Sequence, residues 1–350
     1  MATWGHTNIT IDGQLVKAQA PVIVSASRST DIPAFYADWF FDRLEKGYSA
    51  WTNPFNGIKS YISYDKTRFI VFWSKNPHPL LRHLDTLKEL GIKCYVQYSL
   101  NDYEKEGLEK RVPQLSFRID TFKELVEKLG VGGVVWRFDP LVLTDDISID
   151  NLLAKVEKIG NALYGYTEKL VFSFADIDVY KKVKRNLIND NINYIEWTEE
   201  QMRYFAKQLV KLNEKWHYSL ATCAEEIDLS GVEHNKCIDD ELIIKRAWQD
   251  PVLMKFLNVD IELKQQDLFS LATNLPVGAI LLDKSHYAIR KKNNKDKGQR
   301  KFCGCIISKD IGQYNTCPHL CEYCYANASK ETALRNYKSH TENPNKETII

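Results

Sequence analysis

The chain has 350 residues, with 47 basic and 46 acidic side chains and a formal net charge of +1. The balanced charge argues against a protein whose whole surface attracts nucleic acid, and no apolar run reaches the roughly 18 residues that a membrane span needs. The N-terminus lacks the layout of a signal peptide, so we expect a cytoplasmic protein with no membrane partner.

Short β-branched and aromatic runs alternate with longer amphipathic segments along the chain. The runs predict strands at residues 21–27, 67–74, 93–100, 132–139, 169–176 and 216–223. The segments predict helices, from apolar spacings of three and four, at residues 34–47, 78–91, 118–130 and 198–215. Apolar strands separated by helices are typical of parallel βαβ units. Repeated units of this kind predict an α/β fold with a complete or partial, TIM-like (β/α) barrel.

We expect one domain in three parts. Residues 1–232 would form the N-terminal and main part of the barrel, and residues 233–300 a mostly helical insertion with a basic loop. Residues 301–350 would supply a closing strand at 303–308, a cysteine loop and a C-terminal helix. The basic run at 290–301 is most simply a solvated loop, and the alternative is an electrostatic contact with a phosphate-bearing partner.

Polar residues directly follow the predicted strands. In a parallel α/β fold the active site lies at the carboxyl ends of the strands. The candidate catalytic residues chosen on this basis are Arg28, Asp31, Lys75, Arg137, Asp139 and Glu225. Trp73 and Trp136 lie within or at the ends of predicted strands. Either could stack on a nucleobase, although core packing is the simpler role.

Three of the eight cysteines, Cys317, Cys321 and Cys324, form a C-x3-C-x2-C pattern near the C-terminus. Clustering of this kind in a large chain indicates metal binding rather than a disulfide framework. Three thiolates can hold three irons of a four-iron cluster and leave the fourth iron open. The alternative is zinc, with His319 or an upstream cysteine as the fourth ligand.

Four further cysteines, Cys223, Cys237, Cys303 and Cys305, make up the full ligand set of a closed zinc site or of a second cluster. The alternative is that one of the C-x-C pair completes the first site and the others are ordinary buried thiols. Cys94 lies in the middle of a predicted strand and is assigned to the core.

The segment 317–326, C-P-H-L-C-E-Y-C-Y-A, resembles the cluster loop of the radical S-adenosylmethionine superfamily. The resemblance implies a [4Fe-4S] cluster on the three loop cysteines, bound S-adenosylmethionine and an electron donor. The superfamily loop lies near the start of its barrel, so a circular permutation would be needed to place this one beside the strand at 21–27. The implied cofactor-binding residues are then Ser27, Arg28, Ser29, Asp31 and Tyr323, and the superfamily's G-G-E motif is missing.

Nearly the whole chain resembles DUF1848, a family of uncharacterised bacterial proteins. The shared motifs are V-S-A-S-R-S-T-D-I-P-A-F-Y, N-P-F-N at 53–56, W-S-K-N-P, R-F-D-P and the cysteine loop with D-I-G-Q-Y-N-T before it. R-F-D-P also resembles a segment of spore photoproduct lyase-like enzymes, which act on DNA lesions.

We therefore expect a radical S-adenosylmethionine-like enzyme that acts on a small-molecule, nucleotide or nucleic-acid substrate. One alternative is a protein that binds nucleic acid or a partner and carries a structural or redox cluster. Another is a zinc-stapled barrel hydrolase.

Overall fold

The structure is a computed structural model that describes residues 5–53, 56–264, 275–299 and 302–350. Three predicted features lie partly outside these described residues. They are the N-P-F-N motif at its central Pro54 and Phe55, the basic run at residues 300 and 301, and the insertion at residues 265–274.

The strands, in chain order, are β1 (His6–Ile11), β2 (Gln14–Gln19), β3 (Ile23–Ala26), β4 (Tyr48–Thr52), β5 (Lys59–Ser63), β6 (Phe69–Ser74), β7 (Lys93–Ser99), β8 (Val134–Leu141), β9 (Leu143–Thr144), β10 (Lys169–Phe174), β11 (Tyr194–Ile195), β12 (Ser219–Thr222), β13 (Glu233–His234), β14 (Val259–Leu263), β15 (Ile280–Leu281), β16 (His286–Arg290) and β17 (Lys309–Asp310). The helices are α1 (Ile32–Phe35), α2 (Ala37–Glu45), α3 (Leu84–Glu89), α4 (Leu115–Leu129), α5 (Ile149–Ala162), α6 (Lys181–Asn189), α7 (Glu199–Asn213), α8 (Asp240–Ala247), α9 (Pro251–Leu257) and α10 (Lys330–Glu342), with a 3-10 helix at His78–His83.

The largest sheet has eight parallel strands in the order β13-β12-β10-β8-β7-β6-β3-β17. From β3 to β13 the order in space follows the order in the chain, which is the arrangement that successive βαβ units produce. All six predicted strands lie in this sheet, so that prediction is confirmed. At its edge β17 pairs with β3 in parallel, with Lys309 opposite Val24 and Asp310 opposite Ser25.

The predicted barrel is wrong, whether complete or partial, TIM-like or permuted. The fold is a mixed α/β fold with one large parallel sheet and several small sheets. Closure requires hydrogen bonds between the first and last strands, and in the described part of the chain β13 pairs with β12 and β17 with β3. The closing strand expected at 303–308 does not form, because Ile306 makes a bridge with Lys295 and donates its N–H to the Ile238 carbonyl at 3.1 Å.

Both faces of the large sheet are covered. On one face Val24, Phe72 and Val96 join the main core with helices α2, α4, α5 and α7. On the other, Phe69 and Tyr95 join a second core with α8, α9 and the sheet β14-β16-β15. The described part of the insertion is therefore mixed rather than mostly helical. Because apolar packing occupies both faces, polar chemistry is confined to the ends of the strands.

A smaller sheet, ordered β1-β2-β5-β4, contains the N-terminal hairpin. Asp12 and Gly13 make its turn with positive φ values of 48° and 79°, which suits a tight Asp-Gly hairpin turn. The C-terminal residues pack nearby, where the Lys346 carbonyl accepts from the Trp39 indole at 2.8 Å. Among the described residues, no helix combines the length and apolar composition needed to cross a membrane.

Candidate functional site

The cluster loop, defined as residues 317–324, follows β17 at the edge of the large sheet. Cys321 is buried, and Cys317 and Cys324 are half-buried. Burial raises the pKa of all three thiols, and at Cys321 the charges of Cys324 and Cys317 raise the pKa further. The three sulfur atoms thus lie within electrostatic reach of one another.

Backbone amides oppose the effect of burial at two of these thiols. N–H groups of His319 and Asp31 lower the pKa of Cys317, and those of residues 326 and 327 lower the pKa of Cys324. Hydrogen bonds of this kind stabilise thiolates and tune iron–sulfur sites. These amides favour the thiolate forms of Cys317 and Cys324, although burial has the larger effect on both pKa values.

A half-buried cation lies near the third thiol. Lys75 lowers the pKa of Cys321, against the larger opposing effect of burial. Its ammonium donates to Glu109 and to the Tyr323 hydroxyl, both at 2.8 Å. Tyr323 also donates to Glu109 and accepts from Asn101 at 3.0 Å. The predicted Lys75 thus lies beside the loop and contacts the predicted Tyr323 within it, in a network of internal hydrogen bonds.

Asp31 ties the cluster loop to the ends of two strands. Its carboxylate accepts from the Ser74 hydroxyl at 2.7 Å and the Lys75 amide at 2.8 Å, and from an amide of α1. It also contacts His319 Nε2 at 2.9 Å, while His319 Nδ1 lies 3.3 Å from the Arg111 carbonyl. Both imidazole nitrogens therefore contact oxygen atoms of the protein rather than the loop thiols. This arrangement favours a positioning role for Asp31 and disfavours His319 as a zinc ligand.

Replacement of Asp31 with alanine is expected to lower the free energy of unfolding by about 3 kcal/mol, because buried donors lose a charged acceptor. The matched control is Asp38, which pairs with Arg82 and His83 but has a side chain 71% exposed. D38A should cost less than about 1 kcal/mol. Urea unfolding of both variants measures the difference, and equal losses would contradict the role given to Asp31.

Asp310 organises the segment that follows β3. Its carboxylate accepts from Ser25 at 2.9 Å, from Ser27 at 2.7 Å and from the backbone amide of Arg28 at 2.9 Å. The Ser29 hydroxyl lies 3.1 Å from that of Ser27. The predicted cofactor residues Ser27 and Ser29 are therefore directed at Asp310, a residue that the sequence reasoning missed although it belongs to the shared D-I-G-Q-Y motif.

Two arginines lie over one tryptophan at the same end of the sheet. The guanidinium carbons of Arg28 and Arg137 are each 5.3 Å from the centre of the Trp73 ring. We call these three residues the Arg–Trp–Arg stack. Arg137 contacts Asp139, whose carboxylate also accepts from Ser173. Arg28 Nη2 is buried and has no hydrogen-bond acceptor, which leaves one cationic donor directed at no protein group.

The four-cysteine group (Cys223, Cys237, Cys303 and Cys305) lies next to the stack. Cys223 and Cys237 have their sulfur atoms 3.3 Å apart, and Arg137 donates to the Cys237 sulfur at 3.3 Å. Hydrogen bonds from the Cys223 and Cys305 thiols lower the pKa of Cys237 well below its usual value. The Cys305 thiol likewise lowers the pKa of Cys303 to about 6. The fold thus brings together the four cysteines that the sequence grouped.

Neither cysteine group is closed around a common centre. In the described part of the chain, no three His, Cys, Asp or Glu side chains are grouped so that they could hold a metal ion as they stand. Binding at either group would therefore require movement of thiol side chains. Cys223 and Cys303, like Cys317 and Cys324, are only half-buried and have room to move.

The segment 27–31 connects the two groups. At one end the Asp31 amide faces Cys317. At the other end the charges of Cys305, Cys237 and Cys303 raise the pKa of the Arg28 guanidinium. Three residues of chain span at most about 11 Å. The two cysteine groups therefore border one small region at the carboxyl ends of the strands.

Three other predicted residues have internal roles. Glu225 accepts from the Phe174 amide at 2.9 Å at the end of β10. Trp136 is fully buried in the main core, so it does not stack on a ligand. Cys94 is buried in that core as predicted. Glu109, which the sequence reasoning missed, holds Lys75.

The predicted basic run is partly neutralised within the chain. Arg290 pairs with Asp240 at 2.6 Å, and Lys291 pairs with Asp260 at 2.7 Å. Paired surface cations contribute little to a field that attracts phosphate. The described part of the run thus favours the reading of a solvated loop.

Comparison with known proteins identifies the chain by family. A family model described as a domain of unknown function, DUF1848, matches residues 23–326, which include the whole large sheet and both cysteine groups. Neither a search of curated proteins nor one of solved structures gives a match. The match covers most of the 350 residues, and the chain therefore belongs to the DUF1848 family.

Proposed function

We propose that this protein is an iron–sulfur enzyme of the radical S-adenosylmethionine type. The observation that carries the proposal is the donor set of the cluster loop. Two of its thiols face backbone amides and the third lies near the half-buried Lys75, while the His319 imidazole contacts Asp31. A [4Fe-4S] cluster held by Cys317, Cys321 and Cys324 keeps one iron free of protein ligands.

Cys317, Cys321 and Cys324 would hold such a cluster. It would pass one electron from an external donor to S-adenosylmethionine, whose reductive cleavage would start hydrogen abstraction from the substrate. The chain's own residues prepare this site. Lys75 offsets the negative charge of the thiolates, and Asp31 fixes the loop against β3 and β6. The apolar packing of the sheet excludes water from the region behind them.

The chemistry of the Arg–Trp–Arg stack favours a substrate that carries negative charge. Arg28 offers a buried donor with no acceptor, and a guanidinium pairs strongly with phosphate or carboxylate oxygens. Trp73 already lies under two guanidinium groups, so we infer recognition by charge rather than by stacking on a base. A small molecule or nucleotide that bears phosphate or carboxylate fits this chemistry. A long nucleic acid is less favoured because Arg290 and Lys291 are paired.

Anaerobic reconstitution tests the proposal. The protein should contain about four iron and four sulfide ions per chain at the cluster loop. The electron paramagnetic resonance signal of the reduced protein should change when S-adenosylmethionine is added, because an open iron can bind it. A strong reductant should then yield 5′-deoxyadenosine. Zinc without iron or sulfide would refute the proposal, and a signal that ignores S-adenosylmethionine would refute its radical part.

A further inference from the structure

We propose that the four-cysteine group is a zinc site, separate from the cluster loop, that holds the two ends of the insertion together. Cys237 lies where the chain enters α8, and Cys303 and Cys305 lie where it returns toward β17. Cys223 directly follows β12 and is anchored by its own amide, which donates to the Phe172 carbonyl at 2.8 Å. One ion held by these four thiolates would join both ends of the insertion to the sheet.

The backbone around the group is already fixed. The Cys237 carbonyl accepts from the Tyr95 hydroxyl at 2.7 Å and from the Gln97 amide at 2.8 Å. The Cys305 carbonyl accepts from the Asp296 amide at 2.9 Å. Fixed carbonyls on both segments mean that metal binding needs side-chain rotation but little loss of backbone entropy.

Hydrogen-bond donors already face two of the sulfur atoms. Asn235 donates to the Cys237 sulfur at 3.2 Å, and the Ile238 amide donates to the Cys305 sulfur at 3.3 Å. Donors that orient metal-binding side chains are a regular part of metal sites. Thiols that are buried together only by core packing do not require such donors.

The sulfur spacing favours a single ion. Zinc–sulfur bonds of about 2.3 Å in a tetrahedron place the sulfurs about 3.8 Å apart. The Cys223 and Cys237 sulfurs are 3.3 Å apart, so they need to separate by only about half an ångström. Ligands to different irons of a cluster lie farther apart, because each binds its own metal atom.

Charge balance supports the same site. Zinc with four thiolates carries a net charge of −2, and two guanidinium groups, those of Arg28 and Arg137, lie beside the group. Arg137 already donates to the Cys237 sulfur at 3.3 Å, so one of these cations directly contacts a proposed zinc ligand. An anionic metal–thiolate centre would pair with the two guanidinium groups.

Metal analysis of anaerobically purified protein tests the proposal. Wild-type protein should carry about one zinc ion per chain, and the double variant C303S/C305S should lose most of it. The triple variant C317S/C321S/C324S should keep its zinc, so failure of this site is distinguishable from failure of the cluster loop, which iron and sulfide report. C94A is the matched control with full metal content.

A second measurement needs no substitution and covers the case in which C303S/C305S does not fold. Native wild-type protein is treated with iodoacetamide, with and without a zinc chelator, and each cysteine is located by mass spectrometry. Chelation should raise the alkylation of Cys223 and Cys303 at least tenfold. The alkylation of Cys94 should stay unchanged. Zinc retained in C303S/C305S, iron and sulfide lost from it instead, or a Cys223–Cys237 disulfide in zinc-free protein would each overturn the proposal.

Discussion

Replacement of Cys321 with alanine is expected to reduce the iron and sulfide content of the reconstituted protein at least tenfold. Cys321 is the most deeply buried of the three loop thiols and lies beside Lys75. Without it, two thiolates remain on the loop, and two ligands do not hold a cubane cluster with one open iron. Iron and sulfide assays, with the visible absorption of the cluster, measure the effect.

Cys94 provides the control for this experiment. It is also buried, and burial raises the pKa of its thiol to about 11. C94A and C321A each remove one buried sulfur, so in the metal-free protein each should cost about 1 kcal/mol of stability. C94A should bind iron as wild type does. Equal iron content in C321A and C94A would contradict the assignment of the cluster loop.

Replacement of Gly312 with alanine is expected to lower the free energy of unfolding by about 3 kcal/mol. An added methyl group would lie 1.8 Å from the Ser27 hydroxyl oxygen and 2.6 Å from the Ser29 hydroxyl oxygen. The glycine cannot retreat easily, because its amide donates to Asp310 at 3.0 Å and its carbonyl accepts from the Trp51 indole at 2.9 Å. The substitution should therefore separate β17 from β3.

The G312A variant should also lose iron, because the cluster loop follows β17 directly. Urea unfolding and iron content measure the two effects. G5A is the control, since its added methyl group would meet only the flexible Lys66 ammonium at 4.0 Å. The double variant S27G/G312A should recover part of the stability, because it removes the nearest clash. Wild-type stability in G312A, or no recovery in the double variant, would contradict this account.

The positions of the parallel strands could be predicted because each strand is a short apolar run bounded by turns, and this information is local. The pairing of a C-terminal strand with the strand at 21–27 was also predicted, although it is made by Lys309–Asp310 rather than by 303–308. Closure into a barrel could not be predicted. Closure depends on whether the two edge strands come close enough to form hydrogen bonds. A local pattern of apolar residues does not determine the distance between them.

At the candidate site, too, local sequence patterns could be predicted and contacts between distant segments could not. Cysteine spacing identified the cluster loop, because its three thiols recur at short intervals. The four-cysteine group spans residues 223–305 and was predicted from the number of thiols that a closed site requires. The roles of Asp31 and Arg290 could not be predicted, since they depend on His319 and Asp240, which lie far away in the sequence. The candidate residues that follow strands lie at or near the carboxyl ends of the large sheet. Whether each is free to meet a ligand depends on its partners in the fold.

The pairing of β17 with β3 has a consequence for the order of events during synthesis. The segment 27–31 leaves the ribosome about 290 residues before the cluster loop that it supports. At bacterial or eukaryotic elongation rates this interval lasts roughly 15–60 s. Throughout it the edge of β3 that will face β17 has no partner, while its other edge can pair with β6. An open strand edge can pair with other nascent chains. The proposed cluster could therefore be inserted at the loop only after most of the chain has been synthesised.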